Sequence, residues 1–318
     1  MFAQLIHDYE QALQQIPALV ASGLLLEPEC HPVDYPLFHS HSVRVDVLRC
    51  DRLHPVISGN KWFKLKYNLI LARQQQANKL VSYGGAWSNH LHALAYCANL
   101  LGIDAVGRIR GEEWQTRDNA MLADARIWGM TLEFLSRHAY RQETRLPHRV
   151  VNHDQYGIPE GGDNWAGVLG CMTLVPQRLA SDYDLVVLAL GTGCTFAGLR
   201  LSLPARIRLL GVSALKGDWP QREMRRRLSC WPAQGCGHYD ILTDYHAGGF
   251  GRASPALLSF ITDFGDNTEL PLDPVYTGKA MWALCDLIQR RKITSGTRVL
   301  FIHSGGLQGV RGYQTLAG

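Results

Sequence analysis

Lysine is scarce in this 318-residue chain: seven of its 32 basic residues are lysine (Lys61, Lys64, Lys66, Lys79, Lys216, Lys279 and Lys292) and the other 25 are arginine. Any chemistry that needs a primary amine therefore has few candidates. Charge is thin as well, at 19% of residues with a net formal charge of only +4, below the roughly 25% usual for a soluble domain. The arginines are scattered except at Arg225, Arg226 and Arg227, and a nucleic-acid partner would call for a basic stripe with interleaved aromatics. The eight cysteines (Cys30, Cys50, Cys97, Cys171, Cys194, Cys230, Cys236 and Cys285) contain no Cys-x-x-Cys pair and no regular framework, which fits reduced, mostly buried thiols. No apolar run reaches the roughly 18 residues of a membrane span, and Met1 to Glu10 lacks the basic start and apolar core of a signal peptide. A cytoplasmic protein without a membrane partner is the expectation.

Glycine, by contrast, is plentiful, with 31 residues, so many backbone positions require close approach or positive φ. The length suits about two domains. Strand-length apolar segments alternate with segments of helical period, the pattern of an α/β fold with largely parallel sheets. Strands are expected at Leu80–Ser82, Ala105–Ile109, Thr131–Leu135, Leu185–Leu190, Ile207–Val212 and Val299–Ile302. Helices are expected from Lys61 with Asn60 as N-cap, after the Ser88 cap up to Gly102, over Asn119–Trp128 and over Ala280–Arg290. The continuous apolar run Leu185–Leu190 reads as a central strand buried on both faces. Between His138 and Tyr156 the sequence is polar and aperiodic and reads as a surface connection.

That strand runs into Gly191-Thr192-Gly193-Cys194-Thr195-Phe196-Ala197-Gly198, where loop amides and a helix N-terminus make a phosphate cradle. No Lys-Ser or Lys-Thr follows, which excludes a nucleotide P-loop. The next strand ends in Gly211-Val212-Ser213-Ala214 without the acidic residue that a dinucleotide site needs. A single phosphate fits better, the alternative being a tight turn with no ligand. Three further turns carry glycine beside hydroxyl or amide groups: Ser58-Gly59-Asn60-Lys61, Gly84-Gly85-Ala86-Trp87-Ser88-Asn89-His90 and His303-Ser304-Gly305-Gly306. In an open α/β sheet such turns lie at the carboxyl edge, where ligands bind.

Only Lys61 among the lysines sits inside such a turn. It reads either as a solvated helix-start residue or as an amine held desolvated, with a lowered pKa suited to a Schiff base. With a separate phosphate loop, the cofactor this implies is pyridoxal phosphate. Lys279 reads as a solvated helix-start lysine, or as a second cation near the phosphate. His31, His39 and His41 match no zinc spacing and read as a surface loop, so no metal is expected. Trp62, Trp87 and Trp165 are read either as walls of the site or as core.

With these motifs in order, joined by Ile158-Pro159-Glu160-Gly161-Gly162 and Asp273-Pro274-Val275-Tyr276-Thr277-Gly278-Lys279, the chain from about Val43 to Gly306 resembles the pyridoxal-phosphate enzymes of the tryptophan synthase β fold. Within them it is most similar to the D-cysteine desulfhydrase and 1-aminocyclopropane-1-carboxylate (ACC) deaminase branch. The resemblance implies two open, twisted, largely parallel sheets with flanking helices. A large cofactor domain (1–65 and 156–318) would hold a smaller inserted α/β domain (66–155), and the relatives are commonly homodimers. It implies that Lys61 carries the cofactor and moves the substrate α-proton, and that Ser88, Asn89 and His90 hold the substrate carboxylate and the O3′ side of the cofactor. Gly191, Thr192, Gly193, Cys194 and Thr195 would bind phosphate. Tyr276 would lie against the pyridine ring as an acid/base or substrate contact, with Gly162 and Phe250 lining the amino-acid pocket. Ser304 would face the pyridine nitrogen, where a hydroxyl makes the ring a weaker electron sink and favours elimination.

ACC deaminases of this branch carry Glu directly after the tyrosine matched by Tyr276, and here Thr277 stands there. Their residue at the position of Ser304 is typically apolar, whereas the desulfhydrases have Thr. Both positions point to α,β-elimination from a small amino acid, D-cysteine giving pyruvate, ammonia and sulfide, because loss of a β-thiol needs one lysine base whereas opening a cyclopropane needs further help. Two departures are present: Gly249-Phe250-Gly251 replaces a Gly-Tyr-Gly turn, and His92-Ala93 replaces Arg-Gln. The alternatives are ACC deamination to 2-oxobutyrate and a catalytically weakened cofactor-binding protein.

Overall fold

The computed structural model describes residues 2–145, 154–231 and 237–314. Ten strands are assigned among them: β1 (Cys30–Pro32), β2 (Arg44–Leu48), β3 (Lys79–Gly85), β4 (Asp104–Arg110), β5 (Thr131–Leu135), β6 (Gln155–Ile158), β7 (Leu185–Leu190), β8 (Arg208–Ser213), β9 (Tyr239–Leu242) and β10 (Arg298–Ile302). They form a six-stranded sheet of order β1-β2-β10-β7-β8-β9 and a four-stranded sheet of order β5-β4-β3-β6. Every pairing is parallel except β1 with β2. The expected α/β architecture of two largely parallel sheets with flanking helices is the one observed.

Backbone contacts divide the chain into two compact units. One comprises Met1–Leu26, His54–Gly170 and Gln308–Gly318, and the other Glu27–Leu53 and Cys171–Leu307. The four-stranded sheet belongs to the first and the six-stranded sheet to the second. Residues 54–65 and 156–170, which the sequence reading put in the larger domain, pack with the four-stranded sheet. The helix Lys61–Gln74 explains this, because all but a few of its residues are buried. Asn68 on that helix bonds Asn164 and accepts from Tyr156 Oη, and Glu10 from the N-terminal helix Phe2–Gln14 accepts from Lys66 Nζ and Tyr67 Oη.

In the six-stranded unit all six residues of β7 are buried, as a strand covered on both faces must be. Val187, Phe301, Met281 and Leu284 lie in its core, each contributing roughly 1.5–3 kcal/mol by burial. Arg200, 1% exposed, replaces missing backbone pairing where helix Cys194–Ser202 hands over to β8. Its guanidinium donates to the carbonyls of Leu203, Pro204, Ile207 and His238 at 2.8–3.1 Å.

Two further sequence expectations need correction. The polar stretch after His138 is not all connection: Arg137–Arg145 is a helix, because Ser136 Oγ caps it by accepting from Ala139 N, Tyr140 buries and the arginine, glutamine and glutamate residues have good helix propensity. Its remainder, 146–153, lies outside the described residues. The histidines His31 and His39 are not on one loop: His31 lies on β1 beside Glu29, and His39 lies on the short helix Pro36–Ser40 beside Asp34. Among the described residues no three His, Cys, Asp or Glu side chains cluster as metal ligands would, and no helix is long and apolar enough to cross a membrane. Seven described cysteines are free, five of them buried, and Cys236 lies outside the described residues.

Arg200→Met is expected to lower unfolding stability by roughly 3 kcal/mol, since buried carbonyls lose a charged donor; urea titration checks this, and a loss below about 0.5 kcal/mol contradicts it.

Candidate active site

Lys61 opens the helix that follows the Gly59 turn, at N1. Asn60 occupies the N-cap position but does not cap. Its backbone is already helical and its Oδ1 instead accepts from Lys61 Nζ at 2.6 Å. The amide therefore orients the amine at a helix end whose dipole disfavours a cation. Lys64, one turn on, is also buried, a position the sequence reading did not single out.

β3 leads through Gly84-Gly85 to Ser88, whose Oγ caps helix Asn89–Leu101 by accepting from Leu91 N at 3.3 Å. A side chain on residue 84 would stand 2.5 Å from Ser88 Oγ, so only glycine allows the serine to fold back onto the strand. His90, the next residue but one, is 2% exposed. Ser82 Oγ lies 2.8 Å from both His90 Nε2 and the carbonyl oxygen of Ile158. A carbonyl can only accept, so the serine donates to Ile158 and His90 donates through Nε2. That leaves His90 Nδ1 as a buried acceptor without a partner, alongside Asn89 Oδ1 and Ser58 Oγ. Burial, then the charges of Lys61 and Lys64, push the His90 pKa down to about 3. Gly162, at φ +68°, comes close to the same ring: a Cβ there would lie 3.4 Å from His90 Cε1. Lys61, Ser88, Asn89, His90 and Gly162 thus all belong to the four-stranded unit.

The six-stranded unit holds the rest. β7 ends at Leu190, and Gly193, at φ +89°, turns the chain into helix Cys194–Ser202. Thr192 Oγ1 is buried without a partner, and Thr195 Oγ1 accepts from Cys171 Sγ at 3.6 Å. The Tyr276 ring lies beside Gly191, its Cε1 being 3.2 Å from where a Cβ would stand. Asp273 explains its placement, as its carboxylate accepts from the amides of Val275, Tyr276 and Thr277 and from Thr277 Oγ1, all at 2.7–2.9 Å. The Phe250 ring meets Tyr276 edge-on at 6.0 Å. Ser304 follows β10 and is buried.

Lys279 corrects the sequence reading of a solvated lysine: it is 1% exposed, and its Nζ donates to the Gly249 carbonyl at 2.9 Å. Its spacing on helix Thr277–Gln289 gave no sign of this, because the acceptor comes from a loop thirty residues earlier. His92, at the departure from Arg-Gln, lies 3.0 Å from Asp124 Oδ2, which also accepts from Arg311 at 2.8 Å. Trp62 is core, whereas Trp165 is 48% exposed. Ser82, Asp273 and Lys64 are the contributors the sequence did not flag. For Asp273 the signal was present, as an Asp before a proline favours a turn in which its carboxylate accepts from the amides that follow.

A pyridoxal phosphate molecule fits these groups. Each unit taken by itself offers a group of the matching chemistry: the six-stranded unit an unpaired Thr192 hydroxyl beside the N-terminus of a nine-residue helix, suited to a phosphate, and the four-stranded unit the primary amine of Lys61, suited to an aldehyde. The family described as "Pyridoxal-phosphate dependent enzyme" matches residues 35–305, and the chain belongs to that family of pyridoxal-phosphate-dependent enzymes. Among its relatives, a Pyrococcus horikoshii protein named "Putative 1-aminocyclopropane-1-carboxylate deaminase" is 30% identical, covering 89% of this chain and 91% of its own. The D-cysteine desulfhydrase of Yersinia pestis is 29% identical, covering 96% and 98%. A solved ACC deaminase homologue superposes with a TM-score of 0.75 at 26% identity, covering 93% of this chain and 94% of its own. Threonine deaminase isoform 2 from Solanum lycopersicum shares the fold at TM-score 0.66, with 13% identity over 99% of this chain and 94% of its own.

The depressed His90 pKa has a sign. The unfolded chain binds a proton near the ordinary value of about 6.5 and the folded chain only near about 3. Stability from this group is complete above the first value and falls as pH drops towards the second, by at most about 1.4 kcal/mol per pH unit. His90→Gln is expected to flatten the stability profile in that window, measured by urea unfolding at successive pH values. An unchanged slope contradicts a buried neutral imidazole.

Proposed function

We propose that this enzyme catalyses α,β-elimination from a small amino acid, D-cysteine and water giving pyruvate, ammonia and sulfide. The observation that carries the choice is Thr277. It stands where the ACC deaminases of the resemblance carry Glu, it is fully buried, and its hydroxyl both donates to Asp273 Oδ1 and accepts from Asp273 N. A hydroxyl so engaged closes the turn ahead of the helix and takes no part in acid/base work, so the position offers no second carboxylate for opening a ring that lacks an α-proton.

In this reading the cofactor withdraws electrons from the substrate Cα when bound. Lys61 Nζ is the base for the α-proton, with Asn60 orienting it. Ser88, Asn89 and His90 hold the substrate carboxylate and the O3′ side, and Gly162 leaves room beside the His90 ring. Gly191, Thr192, Gly193, Cys194 and Thr195 cradle the phosphate. Tyr276 lies on the ring and supplies a phenol at the leaving side, with Phe250 beside it. Ser304 offers a hydroxyl to the pyridine nitrogen. The free, mostly buried thiols support residence in a reducing compartment.

Purified enzyme is expected to absorb visibly and to be labelled by borohydride at Lys61, and Lys61→Ala is expected to lose both. Sulfide release from D-cysteine should exceed 2-oxobutyrate release from ACC by about tenfold or more in kcat/KM; the reverse order overturns the substrate choice. A coloured protein that turns over neither, and gains turnover in Phe250→Tyr, is a binding protein that has lost its chemistry.

A further inference from the structure

A lysine on the first turn of a helix is disfavoured by the dipole, and one buried there is disfavoured again by desolvation. Lys279 meets both conditions, at 1% exposure in the first turn of helix Thr277–Gln289. Burial pulls its pKa down to about 8, with the nearby Asp273 charge opposing the shift. A chain whose only need here was packing would place an apolar side chain. What the ammonium does is donate to the Gly249 carbonyl.

That carbonyl belongs to a segment with little to hold it by itself. Ala247, Gly248, Gly249 and Gly251 have φ of +49°, +100°, +118° and +66°, a run that costs conformational entropy to fix. Bonds within the loop include Gly248 N to His246 Nδ1, Gly249 N to His246 O and Arg252 N to Gly249 O, at 3.0–3.2 Å. Phe250, 52% exposed, rides on this loop, and its ring meets Tyr276. Tyr276 is fixed independently by Asp273.

We propose that Lys279 is a positioning residue whose buried ammonium clamps the Gly249 carbonyl, setting the Phe250 ring against Tyr276 and thereby fixing one wall of the amino-acid pocket. The substrate side of this rests on the elimination reading above, while the clamp itself does not.

Lys279→Met keeps the side chain's length and removes the donor. In the holoenzyme, amide hydrogen exchange at Phe250, Gly251 and Arg252 is expected to rise about tenfold, the scale of one lost charged hydrogen bond. Exchange in helix Thr277–Gln289 and in β7, and the visible absorbance of the cofactor at Lys61, are expected to stay unchanged. With D-cysteine, KM should rise about tenfold and kcat by less than about threefold, and Phe250→Ala should raise KM similarly. The double variant should be no worse than Phe250→Ala alone, because both act through one ring.

Unchanged loop exchange, exchange raised throughout the six-stranded unit, or additive KM effects overturn the proposal. Should Lys279→Met not fold, an unchanged KM in Phe250→Ala overturns it alone, and a raised KM supports the wall it describes. If D-cysteine is not a substrate, the elimination reading fails and the exchange measurement still decides the clamp.

Discussion

Parallel pairing of β10 with β7, Val299 opposite Leu185 through Ile302 opposite Leu188, is the constraint on which the arrangement of the six-stranded unit's glycine turns depends. In a parallel pair both chains leave at the same edge, so the Gly191 loop and the His303-Ser304 turn emerge together. β8, paired with β7 up to Ser213 opposite Leu190, extends that edge. Because these strands are buried on both faces, their polar ends are the first backbone groups able to meet a ligand. The helix that follows β7 starts at that edge and turns its N-terminus towards it. The four-stranded unit repeats the device, with β3 ending at Gly85 and a serine-capped helix beginning directly after it.

The polar groups around these turns divide by what satisfies them. Asp273 is saturated by three amides and a hydroxyl, so it is scaffold. Ser82 is saturated by a carbonyl and an imidazole, and it fixes the imidazole's tautomer. Thr192, Asn89, Ser58 and His90 Nδ1 are left with unpaired buried atoms, which a folded chain tolerates at a cost of order 1–3 kcal/mol each unless something else pairs them. In the four-stranded unit they lie at the glycine turns that also carry Lys61, and in the six-stranded unit at the Gly191 loop, so each unit separately leaves buried polar atoms for a ligand.

Much of this was legible beforehand. β5 and β7 run where the sequence predicted them, Thr131–Leu135 and Leu185–Leu190; for β7 the reason is that a continuous apolar run closed by glycine has few other structures open to it. The Ser88 cap and Gly102 stop were also readable, since caps act within four residues. The helix Arg137–Arg145 was not, as its few apolar residues show no stripe and its stability comes from a cap and one buried tyrosine. Asn60 looked like a cap by position, yet its side chain turned to Lys61. Lys279 looked solvated, and its acceptor lies in a loop far away in sequence.

The sequence by itself determined the class of fold and singled out Lys61 and the Gly191 loop as candidates, since strand periodicity, glycine turns and a single lysine in context are local signals. Only the tertiary structure decided which polar atoms are saturated and which are left for a ligand, the tautomer and charge of His90, and the burial of Lys279. Those properties depend on partners that arrive from distant segments, and on desolvation, which exists only once the chain has closed around the group.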